Sequence, residues 1–429
     1  MPLGPSDQLE SREPPLALLA VLGQGIVYLS TVLLARQLHV DGFDDYVVAS
    51  AVFMLMATVA PLGSEKYALR ALPVYLERKD WARARGYLRF SLRRVTAVSL
   101  LLAAAGVAWA LWPGATLTDS ARPSVAVAAL GVPVGALVHF GLEALTALGR
   151  KVAALAIFRI AVPATALACI GLLLALRVEL SATLAVACWG PAWLLGLVLM
   201  MLAGRRSLPL ALRHAVPLDE TPHWRVESRP FFVYRMALGL LGQSGLIAMA
   251  WLQAPAAAIG AYAAAAGTAG LATVLATATN RAYGRRLSIL LERGDHPGVL
   301  RLRRERLRWI LPALGLFLGI CFVFGRDILE MFRPAFADAG TTALHILAVG
   351  ASVSVLLSLA PTYLKYKRRK QATYITVACA ALLQTLLLIL LVPPLSATGA
   401  ATAHAVSMCG MYGAFAWLAQ RELKVVKAG

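Results

Sequence analysis

From Leu16 to near Ala419 the sequence returns repeatedly to stretches of about 20 predominantly apolar residues, the length needed to cross roughly 30 Å of hydrocarbon. In lipid the backbone must satisfy its own N–H and C=O groups, and apolar runs this long do so as helices. Spans are predicted at about 16–39, 43–64, 93–112, 122–148, 152–177, 181–203, 231–253, 257–280, 309–325, 338–363, 372–392 and 397–419, so the expected fold is all-α and polytopic, with about 12 transmembrane helices. Composition leads to the same class: 59% of the residues are hydrophobic, 15% are charged, and the mean hydropathy is +0.70. The head from Met1 to Pro15 carries Asp7, Glu10 and Glu13 against Arg12, the opposite of a cleaved signal's basic start, so the first helix is expected to be retained.

The formal net charge of +19 would suit a nucleic-acid binder if it were gathered on a soluble surface. It is gathered in loops. With a cytoplasmic N-terminus, nearly all Lys and Arg fall in 65–94, 149–151, 204–229, 281–308, 365–370 and the C-terminal tail, whereas the opposite side carries Arg122, Arg177, Arg326 and Arg333. The positive-inside rule then places both termini in the cytoplasm, and the basic loops are expected to meet anionic membrane lipids rather than nucleic acid. Cys169, Cys188, Cys321, Cys379 and Cys409 are scattered singly, with neither metal-ligand nor disulfide spacing. No phosphate-binding loop, HExxH or GxSxG occurs, and the longest outer loop, about 326–337, offers little acid–base chemistry, so no enzyme activity and no cofactor is expected.

The chain also repeats itself. An offset of 215 residues aligns RALPVYLERKD (70–80) with RRLSILLERGD (285–295), and Arg89, Leu92 and Arg93 then meet Arg304, Leu307 and Arg308. An even number of helices separates the copies, so the predicted architecture is two pseudo-symmetric six-helix lobes facing a central cavity. The expected divisions are a cytoplasmic tail at 1–15, an N-lobe at 16–203, a cytoplasmic linker at 204–230 holding Pro209, Pro217, Pro222 and Pro230, a C-lobe at 231–419 and a tail at 420–429.

Ionisable groups inside a membrane cost at least about 2.5–3.5 kcal/mol each, so each one is a candidate for function. Glu143 and Arg159 flank the turn at 149–151 and could bridge the hairpin as a structural pair. His139 lies one helical turn before Glu143, as a proton-sensitive partner in ion coupling or as a packed histidine. Arg36 and Arg235 lie near helix ends, where snorkelling to the interface is the plain alternative to substrate binding. At the repeat offset Glu65 and Lys66 correspond to Asn280, the chain's single asparagine, and Arg281. Cations at such equivalent positions, with Arg70 nearby, could hold a phosphate group, although interfacial anchoring explains them equally well.

Three segments resemble the polysaccharide transporters of the multidrug/oligosaccharidyl-lipid/polysaccharide (MOP) flippase superfamily: LLARQLHVDGFDDYVVASAVF (33–53), IGAYAAAAGTAGL (259–271) with ATATNRAYGRRLSILLERGD (276–295), and GRDILEMFRPAFADAGTTALHILAVG (325–350). The resemblance implies two six-helix bundles and a polyprenyl-pyrophosphate-linked oligosaccharide cargo, a repeat unit of O-antigen, capsule or exopolysaccharide, in a bacterial inner membrane. Polysaccharide polymerase and export machinery would be its partners. It also implies that Arg36, Lys66 and Arg281 meet anionic cargo. His39 stands where the family usually has glycine, and the extra helix pair of peptidoglycan-precursor flippases does not follow Ala419. Two other readings remain open, a cation-coupled multidrug-type exporter and a membrane glycan polymerase or ligase.

Overall fold

A computed structural model describes residues 13–114, 116–366 and 370–428; the chain is helical almost throughout and no strand occurs among the described residues. The N-terminal tail up to residue 12 and the basic stretch 367–369 lie outside them. Among the described residues eleven helices are long and apolar enough to cross a membrane. The last of these, Gln371–Glu422, has 52 residues, which at 1.5 Å per residue gives about 78 Å, more than twice the hydrocarbon thickness. It breaks at Pro393, Pro394 and Ser396, where Ser396 has φ 45° and ψ −120°, so it supplies two crossings and the expected total of about twelve holds.

Several helices outrun their apolar cores. The third predicted span, 93–112, is the end of a helix that begins at Trp81, the seventh begins at Thr221, and the ninth runs from His296 to Phe332. Arginine is a good helix former, so a helix continues into a basic loop after its hydropathy has fallen. The polar stretch 204–230 is accordingly irregular only in part: helix persists to Ser207, a turn forms at Leu210–His214, and helix resumes at Thr221.

The chain divides into two compact units, residues 25–251 and residues 252–429, the latter joined by the first helix up to Gln24. The duplicated segment forms the same junction in each. In the first, Lys79 adopts φ 54° after the Ser64–Glu77 helix, Lys79 N donates to Leu76 O at 3.1 Å and Asp80 N to Tyr75 O at 2.8 Å. In the second, Gly294 has φ 69°, Gly294 N donates to Leu291 O at 3.3 Å and Asp295 N to Leu290 O at 2.9 Å. This is a Schellman ending. Each aspartate then caps the next helix, Oδ1 accepting from Arg83 N at 3.1 Å or Gly298 N at 2.8 Å. One residue thus closes one helix and opens another, a physical reason for the Asp80/Asp295 identity.

Within the first unit Phe53 packs between Trp189 and Trp193, with ring centroids 5.4 and 5.2 Å away, over Gly131 and Gly135. A second cluster sets Tyr67, Tyr87 and the fully buried Trp224 together. Large apolar side chains such as Leu101, Leu111, Phe322, Leu382 and Leu390 are exposed, the surface expected of helices whose solvent is lipid.

Candidate functional site

The predicted second helix, 43–64, stops short of its expected end and a new helix follows at once. Val40–Val59 ends before Pro61, and Ser64–Glu77 starts anew after Gly63, which has φ 80°. A side chain at Gly63 would run into Phe232 N and Ser228 O of the Thr221–Trp251 helix, so only glycine permits both the left-handed turn and this approach. The restart is secured by Ser64 Oγ, which donates to Pro61 O at 2.6 Å, and by Tyr87 Oη, which donates to Ser64 O at 2.5 Å. It places Glu65 in the first turn of the new helix, where the unpaired amides favour an acid.

Charges from three helices meet here. Arg235 Nε lies 3.1 Å from Oε1 of Glu65, whose side chain is 0% exposed. The approach is close but out of line, because neither Glu65 oxygen nor Arg235 Nε has a hydrogen-bond partner among the described residues. Lys66 Nζ donates to Glu143 Oε1 of the Ala121–Ala147 helix at 2.5 Å. Glu143, for which a bridge to Arg159 across the hairpin was one expectation, pairs with Lys66. His139 lies within electrostatic reach of Arg235 and Lys66. Its ring packs against Phe158 and Trp193 at 5.1 and 5.9 Å, and its buried Nε2 has no partner. Arg159 follows Phe158 in a π-helical turn, Ile157–Ala161, the kind of irregularity that re-aims side chains in a helix.

The other expected residues fall elsewhere. Arg70 is exposed and pairs with Glu227 at 3.2 Å, and Arg36 is exposed in the last turn of Glu13–Gln37. Asn280 belongs to the second unit, where its Oδ1 accepts from Arg306 Nη2 and Ser358 Oγ, both at 3.1 Å. The side chain of Arg281 lies outside the described residues.

Three features were not anticipated from sequence. Glu65, aligned with Asn280 by the repeat, is the counter-ion of Arg235; the break signalled by Pro61 and Gly63 would have suggested that it turns inward. Arg306 is 2% exposed and has no acidic partner among the described residues, its Nη atoms donating to Leu356 O, Val355 O, Ser358 Oγ and Asn280 Oδ1 at 2.8–3.1 Å. The first three acceptors lie at and just beyond the end of the Pro334–Leu357 helix, so Arg306 serves as its C-terminal cap, while Asn280 reaches in from the Ala272–Glu292 helix. Asp44 and Asp45 are buried; Asp45 accepts from Thr118 Oγ1 at 3.2 Å and Asp44 from Asp45 N at 2.8 Å.

Neither a protein-family model nor a curated protein sequence matches the chain. Solved structures do match, over nearly the whole length. A multidrug resistance MATE family transporter of the MOP superfamily, in an inward-facing conformation, aligns with TM-score 0.72 at 13% identity over 96% of each chain. The chain has the fold of MOP-superfamily transporters. The lipid II flippase MurJ aligns with TM-score 0.70 at 12% identity, covering 96% of this chain and 89% of that one. A MOP superfamily transporter from Pyrococcus furiosus, for which a reversed polarity of the binding pocket suggests a different function, aligns with TM-score 0.62 at 13% identity over 96% and 95% of the two chains.

Proposed function

We propose that the chain is a flippase for a polyprenyl-pyrophosphate-linked oligosaccharide, an O-antigen, capsule or exopolysaccharide repeat unit, which it carries outward across a bacterial cytoplasmic membrane by alternating access. The observation that carries this reading is the pair of partly buried cations, Lys66 and Arg235, each countered by a carboxylate. Isolated cations would be too costly there, and fixed, aligned ion pairs would have nothing left to offer a ligand. Glu65 lies between these extremes, neutralising Arg235 without saturating its donors. A diphosphate offers oxygens in the planar geometry that a guanidinium prefers, and it can exchange with the glutamates. The sugar hydroxyls each cost several kcal/mol to strip of water without a partner, about the barrier that a polar route removes. An inside-negative potential helps an anionic headgroup outward by about 2.3 kcal/mol per charge per 100 mV.

The MATE likeness supports a second reading, export of a small cation. Such cargo needs acidic groups open to it, and Glu65 and Glu143 are both engaged by cations, which leaves Asp44 and Asp45.

Gene deletion followed by mass spectrometry of lipid-linked glycans tests the flippase reading. A complete repeat unit should accumulate on its carrier, and the Lys66→Ala/Arg281→Ala variant should fail to relieve the accumulation at normal protein level. Normal glycan export by that variant, or no accumulation in the deletion strain, refutes it.

A further inference from the structure

In the first unit a cavity of about 670 Å³ opens beside the basic start of the Trp81–Leu111 helix, against the chain that enters the Thr221–Trp251 helix. Its walls are tied together. Leu218 N donates to Ala82 O at 3.1 Å, Arg85 Nη1 donates to Ala215 O at 2.6 Å, and Arg83 bridges Asp80 and Glu220 at 3.0 and 2.8 Å. Gly86 makes this possible, because a side chain there would strike Leu218 O.

Into this fixed hollow face Arg89, Arg93, Arg94 and Arg225, with Asp219 as the one acid of the lining. None of the four arginines forms an ion pair among the described residues. Arg94 stands over the Phe90 ring at 5.6 Å, is near enough to Arg225 to be repelled by it, and has a buried Nη1 with no hydrogen-bond partner among the described residues. Asp219 Oδ1 is occupied by Thr221 N at 2.8 Å. Four positive charges and one negative leave +3 along this lining; Arg89, Arg93 and Arg225 are exposed and Arg94 is half-buried, so their donors are open to an anion entering the cavity. A phosphodiester carries one negative charge and leaves most of the excess; a phosphate monoester carries about two on a single phosphorus, and a diphosphate spreads two or more over two phosphorus atoms, which several arginines can grip at once. Further along the cavity Ala97 and Val98 offer apolar surface for the carbons that follow the phosphates.

We infer that this arginine cavity binds the diphosphate group of a prenyl-linked lipid, as a loading site separate from the Lys66 and Arg235 cluster. The inference rests on the flippase reading for its cargo and on the cavity alone for its ligand chemistry. Full-length protein in nanodiscs of uncharged lipid, probed with farnesyl diphosphate, farnesyl monophosphate and phosphatidylglycerol by native mass spectrometry, provides the test. The diphosphate should bind at least tenfold more tightly than either competitor. Arg93→Gln/Arg225→Gln should weaken it at least tenfold, and Arg205→Gln/Arg206→Gln, which removes the same charge outside the cavity, should leave it unchanged. Farnesyl diphosphate should also protect Arg93 and Arg225 of the unaltered protein from phenylglyoxal, a measurement that needs no variant to fold.

Equal affinity for phosphatidylglycerol, equal loss in the two variants, or absence of protection overturns the assignment. Glycan accumulation in the deletion strain without diphosphate selectivity at the cavity refutes the loading site and leaves the flippase reading standing. Selective binding without accumulation does the reverse.

Discussion

Replacing Arg235 by methionine removes the only ion-pair partner described for a carboxylate with no exposed surface. Breaking a buried pair from one side costs about 3–5 kcal/mol, because the remaining charge is left uncompensated, and Glu65 has no hydrogen bond to soften the loss. At about 1.4 kcal/mol per tenfold, the unfolding equilibrium should shift by roughly two to three and a half orders of magnitude. Glu65→Gln should cost a comparable amount by stranding the guanidinium. Glu65→Gln/Arg235→Met together should return to within about 1–2 kcal/mol of the parent, since a neutral pair escapes the desolvation that both charges suffer. The exposed Arg70–Glu227 pair gives the internal standard, and Arg70→Ala should cost no more than about 1 kcal/mol. Reversible unfolding in mixed micelles, titrated with a denaturing detergent, reads all four variants. If Arg235→Met costs no more than Arg70→Ala, then Glu65 carries no charge and the switchable-pair argument fails. A double variant that folds as well as the parent yet exports no glycan would show that the charges serve transport rather than folding.

Three more outcomes follow from local geometry. Gly63→Ala should destabilise the first unit by more than about 2 kcal/mol, combining left-handed strain with the clash at Phe232 and Ser228, whereas Gly149→Ala, with φ 80° but open space, should cost only the strain; the same titration compares them. Asp80→Ala and Asp295→Ala should each cost about 1 kcal/mol through loss of equivalent caps, and markedly unequal losses would undercut the equivalence of the two junctions. Hydrogen bonds from Thr221, helped by Arg93 and Arg225, hold the Asp219 carboxyl below its usual range. Its contribution is therefore full above the ordinary carboxylate range and disappears as pH falls through the depressed value, so hydrogen exchange at 221–224 should accelerate only in acid below that range, and acceleration already at pH 6 would contradict it.

Part of this molecule was legible from residue order. Apolar run length located each membrane crossing, and the repeat identified Asp80 and Asp295, whose role at the paired helix junctions is local enough to be written in six identities over eleven aligned positions. Helix ends were less legible, since hydropathy follows the lipid boundary and helices such as Trp81–Leu111 continue beyond it. The arginine cavity was invisible for another reason. Arg89 and Arg93 were noticed only as repeat matches, and Arg225 joins them because Gly86 lets the chain at Leu218 settle against their helix.

By itself the sequence determined that the chain is a bundle of membrane helices with its positive charge gathered between the apolar runs, because burial of apolar length and retention of charge near water depend on composition along the chain. Tertiary structure alone decided which charges meet. Glu143 lies much nearer in sequence to Arg159, yet it takes Lys66, 77 residues away, as its partner. Glu65 takes Arg235, 170 residues away, from a helix that begins inside the polar segment. A hydrophobic pattern specifies that a helix enters lipid but only weakly specifies its rotation and its neighbours. Those are set by close packing, here by a glycine turn at position 63 that no other side chain can occupy.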